Sequence, residues 1–204
     1  MIQLEYKLTD KSRNAKTPDE FIKLLLSDDI INLIITYTNM HAENDPSQTD
    51  WVRVTSDEMW AFLAILIIMG FEKRRKVSLQ KLWTSEQLFR QPIYSTIMAR
   101  NRFSDILRHM RFDDPRDRKQ RISNTGNKAA AIREIFEIFR SNCINAYVPS
   151  NILSIDERFV SYKGNCPFMV YMPTKPGKYG IKLWVMTDSK TSYASNFQIY
   201  YPGE

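Results

Sequence analysis

The apolar residues change their spacing near residue 150, and that change constrains the fold more than any other feature of the chain. Upstream they recur about every 3.6 residues, as on one face of a helix. Downstream they gather in short runs closed by Gly, Pro, Asp and Ser, as in strands. The upstream part opens on Thr17-Pro18-Asp19-Glu20, which supplies a capping hydroxyl, a proline at the first helical position and a glutamate placed to reach back. Phe21, Leu24, Leu25, Ile31, Ile34 and Ile35 then predict one helix to about Met40, with a polar loop over 41–50. Thr55-Ser56-Asp57-Glu58 repeats the cap before 59–70, a stretch apolar on every face and so expected at the centre of the helical part, with Gly70 as its stop. Two or three short helices are expected over 79–110, interrupted at Pro92. A charged loop over 113–127 and a helix over 128–147 follow. The runs 152–155, 181–186 and 197–201 predict three antiparallel strands, with a long connection over 157–180. The expected architecture is α+β: a flexible 1–16, a helical domain over 17–149, and a small sheet domain from 150 onward.

Composition narrows the function classes. With 43% apolar and 25% charged residues in 204, the chain is an ordinary globular protein, and no internal repeat interrupts it. Two cysteines, Cys143 and Cys166, do not make a disulfide framework and suit a reducing compartment. The start carries no apolar stretch behind a basic end, so no secretory leader is expected. The longest uncharged apolar run, 59–71, is short of the ~20 residues that cross a bilayer, so no membrane partner is expected.

The net charge of +6 points toward an acidic partner, and it is unevenly placed. Between Arg100 and Arg133 stand ten basic residues (100, 102, 108, 111, 116, 118, 119, 121, 128, 133) against four aspartates, an excess equal to that of the whole chain. Eight of the ten are arginine, whose planar fork suits phosphate. Two readings fit this spacing: a surface that tracks phosphates, or a solvated helical face with internal ion pairs. The candidate phosphate contacts here are Arg100, Arg102, Arg108, Arg111, Lys119 and Arg121.

Chemistry-bearing motifs are few. His41 and His109 are the only histidines and lie far apart in sequence, which excludes a zinc finger. No glycine-rich phosphate loop or nucleophile elbow occurs. Asp156-Glu157 closes an apolar strand, and Lys163, Lys175, Lys178 and Lys182 follow. A carboxylate there can supply a hard oxygen to Mg²⁺ with lysines holding phosphates, or it can simply be a turn residue. No cofactor-binding motif is present.

Several of these segments, taken in order, resemble piggyBac-type transposases. Leu153-Ser154-Ile155-Asp156-Glu157, Tyr162-Lys163-Gly164, Cys166-Pro167-Phe168, Met172-Pro173-Thr174-Lys175-Pro176, Lys178-Tyr179-Gly180-Ile181-Lys182-Leu183 and Thr187-Asp188-Ser189 are similar to the opening of that family's catalytic domain. Upstream, Trp51 to Thr55, Leu82-Trp83, Arg100-Asn101-Arg102-Phe103 and Arg111-Phe112-Asp113-Asp114 are similar to its helical region. The similarity runs over about residues 15–204.

The resemblance implies a nuclear DNA transposase: a helical domain that binds transposon ends and dimerises, beside an RNase H-like domain in which three acids hold two Mg²⁺ ions. Asp156 matches the first of those acids, as a catalytic residue and metal ligand. Glu157 is its neighbour in the motif and no second ligand, and Asp188 is read as structural. The sheet then corresponds to the first three strands of an incomplete RNase H-like domain. The other two acids and the cysteine-rich zinc tail of many members fall outside these 204 residues, and Asn165 stands where an arginine is common. A single carboxylate cannot hold a two-metal centre. The expectation is therefore a truncated, catalytically inactive fragment that keeps DNA binding. The alternatives are a module pairing with itself or with full-length transposase, and part of an active Mg²⁺-dependent enzyme.

Overall fold

The computed structural model describes residues 7–74, 76–86 and 91–202. Along the chain run β1 (Lys7–Leu8), α1 (Asp10–Arg13), α2 (Pro18–Leu25), α3 (Asp28–Glu43), α4 (Ser56–Phe71), α5 (Leu79–Leu82), α6 (Pro92–Ile97), α7 (Arg100–His109), α8 (Pro115–Thr125) and α9 (Arg133–Ala146). Then come β2 (Tyr147–Val148), β3 (Leu153–Ser161), β4 (Val170–Tyr171), β5 (Tyr179–Asp188) and β6 (Ala194–Ile199). The chain forms two compact units, residues 31–114 and residues 1–30 with 115–204. The charged helix α8 and the long helix α9 thus belong with the sheet, and the division does not follow the change of texture at 150.

The unit 31–114 is helical. Thr55 caps α4 by accepting from the Glu58 N–H at 3.3 Å, and Met59, Phe62 and Ile65 on that helix are buried. The Phe62 ring stacks on Phe103 of α7 at 4.8 Å between centroids, and Trp83 adds a third ring 5.1 Å from Phe103. The helix is buried on one stripe only, because Ile67 is 52% and Phe71 88% exposed. Asn39 ties α3 to the segment before α4: its side chain donates to the Val54 carbonyl and accepts from the Val54 N–H and the Trp51 indole.

In the other unit, β3 pairs with β5 and β5 with β6, all antiparallel, and β4 pairs with the start of β5. The register sets Asp156 opposite Val185, Glu157 opposite Trp184, and Val185 opposite Phe197. Phe197 meets Phe136 and Phe139 of α9 at 5.7 and 5.6 Å, so α9 packs on one face of the sheet at β6. Ala129, Phe168 and Ile199 form the buried centre there, with Ile132, Phe136, Ile181 and Leu183 packed around it.

Four expectations need correction. The single helix over 18–40 is two helices: Leu26 leaves helical geometry (φ −95°, ψ 76°), and Ser27-Asp28-Asp29 starts α3 with acidic residues that favour its amino terminus. Asn142 of α9 donates to the Leu25 carbonyl and to Ser27 at that break. The charged loop over 113–127 contains α8, which Pro115 opens and Gly126, at φ 65°, closes. With no apolar face, that helix left no periodic signal. The short helices expected over 79–110 are α5, α6 and α7, and the interruption expected at Pro92 is the place where α6 begins. The long connection over 157–180 is partly strand, since β3 runs on to Ser161 and β4 pairs at 170–171. Residues 7–13, expected as flexible, hold β1 against β2, and Ser12 donates to the Ala146 carbonyl at 2.6 Å.

Candidate functional site

Asp156 lies in the middle of β3 and not at its end. Its side chain is exposed, and Oδ1 accepts from the Glu157 backbone N–H at 2.6 Å. Successive strand residues point to opposite faces, so Glu157 faces away from Asp156 and cannot share an ion with it. Glu157 instead receives Lys182 Nζ at 3.1 Å and Lys175 Nζ at 3.3 Å, and these ammonium groups hold its carboxyl below the usual carboxylate range. Lys182 also lies over the rings of Trp184 (4.7 Å) and Tyr200 (4.8 Å). Lys163 and Lys178 are exposed, and Lys178 sits at φ 42°, in the left-handed region that side chains disfavour.

Asp188 closes β5 as an anchor. It is fully buried, and its carboxylate accepts from the N–H groups of Ser150 (Oδ2), Lys190 (2.8 Å) and Thr191 (3.2 Å). These bonds, that of Ser150 first, pull its acidity to a pKa of about 2. Its donors are groups of the turn it closes and of Ser150 on the approach to β3, which is the arrangement of a structural residue.

The basic run is divided between the two units, with Arg100, Arg102, Arg108 and Arg111 in one and Lys119 and Arg121 in the other. Arg100, Arg108 and Lys119 are exposed. Arg102 is engaged within its own unit: Nε and Nη2 donate to the two Glu58 oxygens at 2.6 Å each, Nη2 reaches the Val52 carbonyl at 2.8 Å, and the guanidinium lies 4.7 Å over Trp51. Arg111 Nη1 donates to the carbonyls of Arg108 and Met110. Arg121 Nη1 reaches the Ala130 carbonyl at 3.4 Å.

Sequence distance hid one pairing. The rings of His41 and His109 lie 5.8 Å apart, tilted by 49°, and buried His109 donates from Nδ1 to the Asp105 carbonyl while Nε2 meets Asp45 Oδ2 at 3.0 Å. Among the described residues no group of three His, Cys, Asp or Glu side chains could hold a metal ion. The donor set around Asp156 therefore does not fit Mg²⁺ by itself. Sequence reading also passed over Tyr171, Tyr179 and Tyr200, which the sheet gathers beside the lysines. The one signal was the recurrence of Tyr171 and Tyr179 within the lysine-rich segment.

The family model for transposase IS4 matches residues 17–204. The chain belongs to that family. A cryo-EM structure of a piggyBac transposase synaptic complex with hairpin DNA is similar over 98% of this chain, at 32% identity and a TM-score of 0.89. The human piggyBac transposable element-derived protein 3 is 26% identical over 171 residues, and the human chimeric ERCC6-PGBD3 protein is likewise 26% identical. The piggyBac resemblance and the α+β class thus stand. The chain spans 42% of the solved transposase and 27% and 15% of the two human relatives. Among its described residues, no helix of this transposase-family chain is long and apolar enough to cross a membrane.

Proposed function

We propose that this chain is a DNA-binding portion of a piggyBac-type transposase that carries Asp156 as the first metal-binding acid and does not cut DNA by itself. The reading rests chiefly on the likeness to a transposase solved in a synaptic complex with hairpin DNA, at 32% identity across 98% of this chain. The exposed basic groups Arg100, Arg108, Lys119, Lys163 and Lys178 supply charge for phosphates. In the family Mg²⁺ supplies the charge that stabilises the attacking and leaving oxygens. Here Asp156 offers one carboxylate of the several that such an ion needs, so no cleavage step is assigned to this chain.

Fluorescence polarisation with labelled duplex DNA across a salt series tests the reading. The expected result is an affinity that falls linearly with the logarithm of salt. Binding that ignores salt, or none at all, overturns it. Incubating a supercoiled plasmid with the chain and Mg²⁺ tests the second half, and nicking that disappears in Asp156→Ala would reject inactivity.

A second reading, pairing through the helical unit with a copy or with full-length transposase, is favoured by the exposed Ile67 and Phe71, one turn apart on α4. Light scattering behind size exclusion tests it. A strict monomer that does not co-elute with full-length transposase removes it.

A further inference from the structure

The sheet has a gap on the side of β5 away from β3. There β4 pairs only at Val170 with Gly180 and Tyr171 with Tyr179, while β6 begins its pairing at Leu183 with Ile199. The notch left between them has a volume of about 380 Å³ and is lined by Tyr171, Met172, Lys182 and Tyr200 among others. Tyr171 is 55% exposed and Tyr179 50%, and their rings stand 4.9 Å apart. The Tyr162 N–H donates to the Tyr179 carbonyl at 3.1 Å, which places a third tyrosine, 41% exposed, at the same end of the sheet.

Charge at the notch is positive. Glu157 is already matched by Lys175 and Lys182, and Lys178 remains exposed at the turn. That turn is tight: the Lys178 carbonyl accepts from the Met172 N–H at 2.6 Å, the Tyr179 N–H reaches the Gly177 carbonyl, and Lys178 itself is held at positive φ. Residues forced into that region concentrate at ligand clamps, because the surrounding structure must over-determine them.

Resting on the DNA-binding reading above, we propose that this notch takes one unpaired nucleotide of the bound DNA. Its base stacks on Tyr171, with Tyr200 and Met172 as walls. Lys182 donates to a base carbonyl, and Lys178 meets the adjoining phosphate. Exposed aromatic faces beside ammonium groups are the means by which single strands are held without sequence readout. A paired base cannot use the notch, since it is already stacked within the duplex. The site therefore distinguishes DNA with an unpaired nucleotide from continuous duplex.

Polarisation of the 204-residue chain with two labelled probes tests this. One is a blunt duplex and the other the same duplex with a short thymidine overhang. The expected result is tighter binding of the overhang probe by about tenfold, lost in Tyr171→Ala, kept in Tyr171→Phe, with the blunt duplex bound equally by all three. Thermal melting of each variant verifies its folding, which an exposed side chain on a two-residue strand should not disturb. Equal affinity for the two probes overturns the notch and leaves DNA binding intact, as does a Tyr171→Ala loss that is the same for both. Salt-independent binding, or no binding of either probe, overturns the notch together with the DNA-binding reading.

Discussion

Arg102 sits in the most arginine-rich stretch of the chain, and the structure assigns its charge to internal work. In Arg102→Ala, Glu58 loses both of its 2.6 Å donors, the Val52 carbonyl loses one at 2.8 Å, and Trp51 loses the cation above its ring. The pair is neither exposed nor fully desolvated, with side chains 21% and 27% accessible. A fully exposed pair contributes about 0.2–1 kcal/mol, whereas hydrogen bonds to charged groups in protected sites contribute about 1.5–3 kcal/mol. The cation over the indole adds about 0.5–1 kcal/mol. The expected destabilisation is about 2–3 kcal/mol, of which about 1–2 kcal/mol is direct coupling to Glu58. Urea unfolding followed by circular dichroism, on Arg102→Ala, Glu58→Gln and the double variant, isolates that coupling. Duplex affinity is measured beside it, with the salt slope expected to stay that of the parent chain. A coupling below about 0.5 kcal/mol, or a slope shallower by about one, would return Arg102 to the phosphate-contacting set.

Arg108→Ala is expected to behave in the opposite way, lowering the salt slope of duplex binding by about one with melting unchanged, and an unaltered slope would remove Arg108 from the interface. Because the folded pKa of Asp188 lies near 2, below the ordinary 3.8, its contribution to stability is complete above about pH 4 and is lost as pH falls from there toward 2. Denaturation midpoints measured from pH 6 to pH 2 should therefore fall less steeply in Asp188→Asn than in the parent. Gly180→Ala places a methyl group against the Val160 carbonyl and 2.7 Å from Phe159 Cζ, and overpacking of this kind costs about 1–3 kcal/mol in urea unfolding. An unchanged midpoint would mean that β3 and β5 lie farther apart there.

The sequence signals were clearest where burial and local chemistry agreed. Thr17 and Glu20 form the reciprocal cap that their spacing announces, and Thr55 caps α4 as expected. The three strands appear in antiparallel order, with β6 buried against α9 through Phe197 and β3 joined to the sheet by its ladder with β5. The α2–α3 break was hidden by apolar spacing that runs through it, and α8 by the lack of any apolar spacing at all. Asp156 could be picked out as a candidate, yet whether it stood mid-strand depended on β3 pairing with β5 as far as Ser161. The roles of individual arginines were unreadable for a related reason. Arg102 and Arg108 are both charged residues of one helix, and only the position of Glu58, 44 residues away, separates them.

The buried bonds of Asp188 have an effect at a distance along the strand. By holding Ser150 just ahead of β3, they fix the count of residues from which the ladder with β5 is read. Sliding that ladder by one residue would turn every side chain of β3 over, exchanging Asp156 with Glu157. An acid that meets no substrate thus decides which of two neighbouring acids is presented for chemistry and which is locked away among lysines.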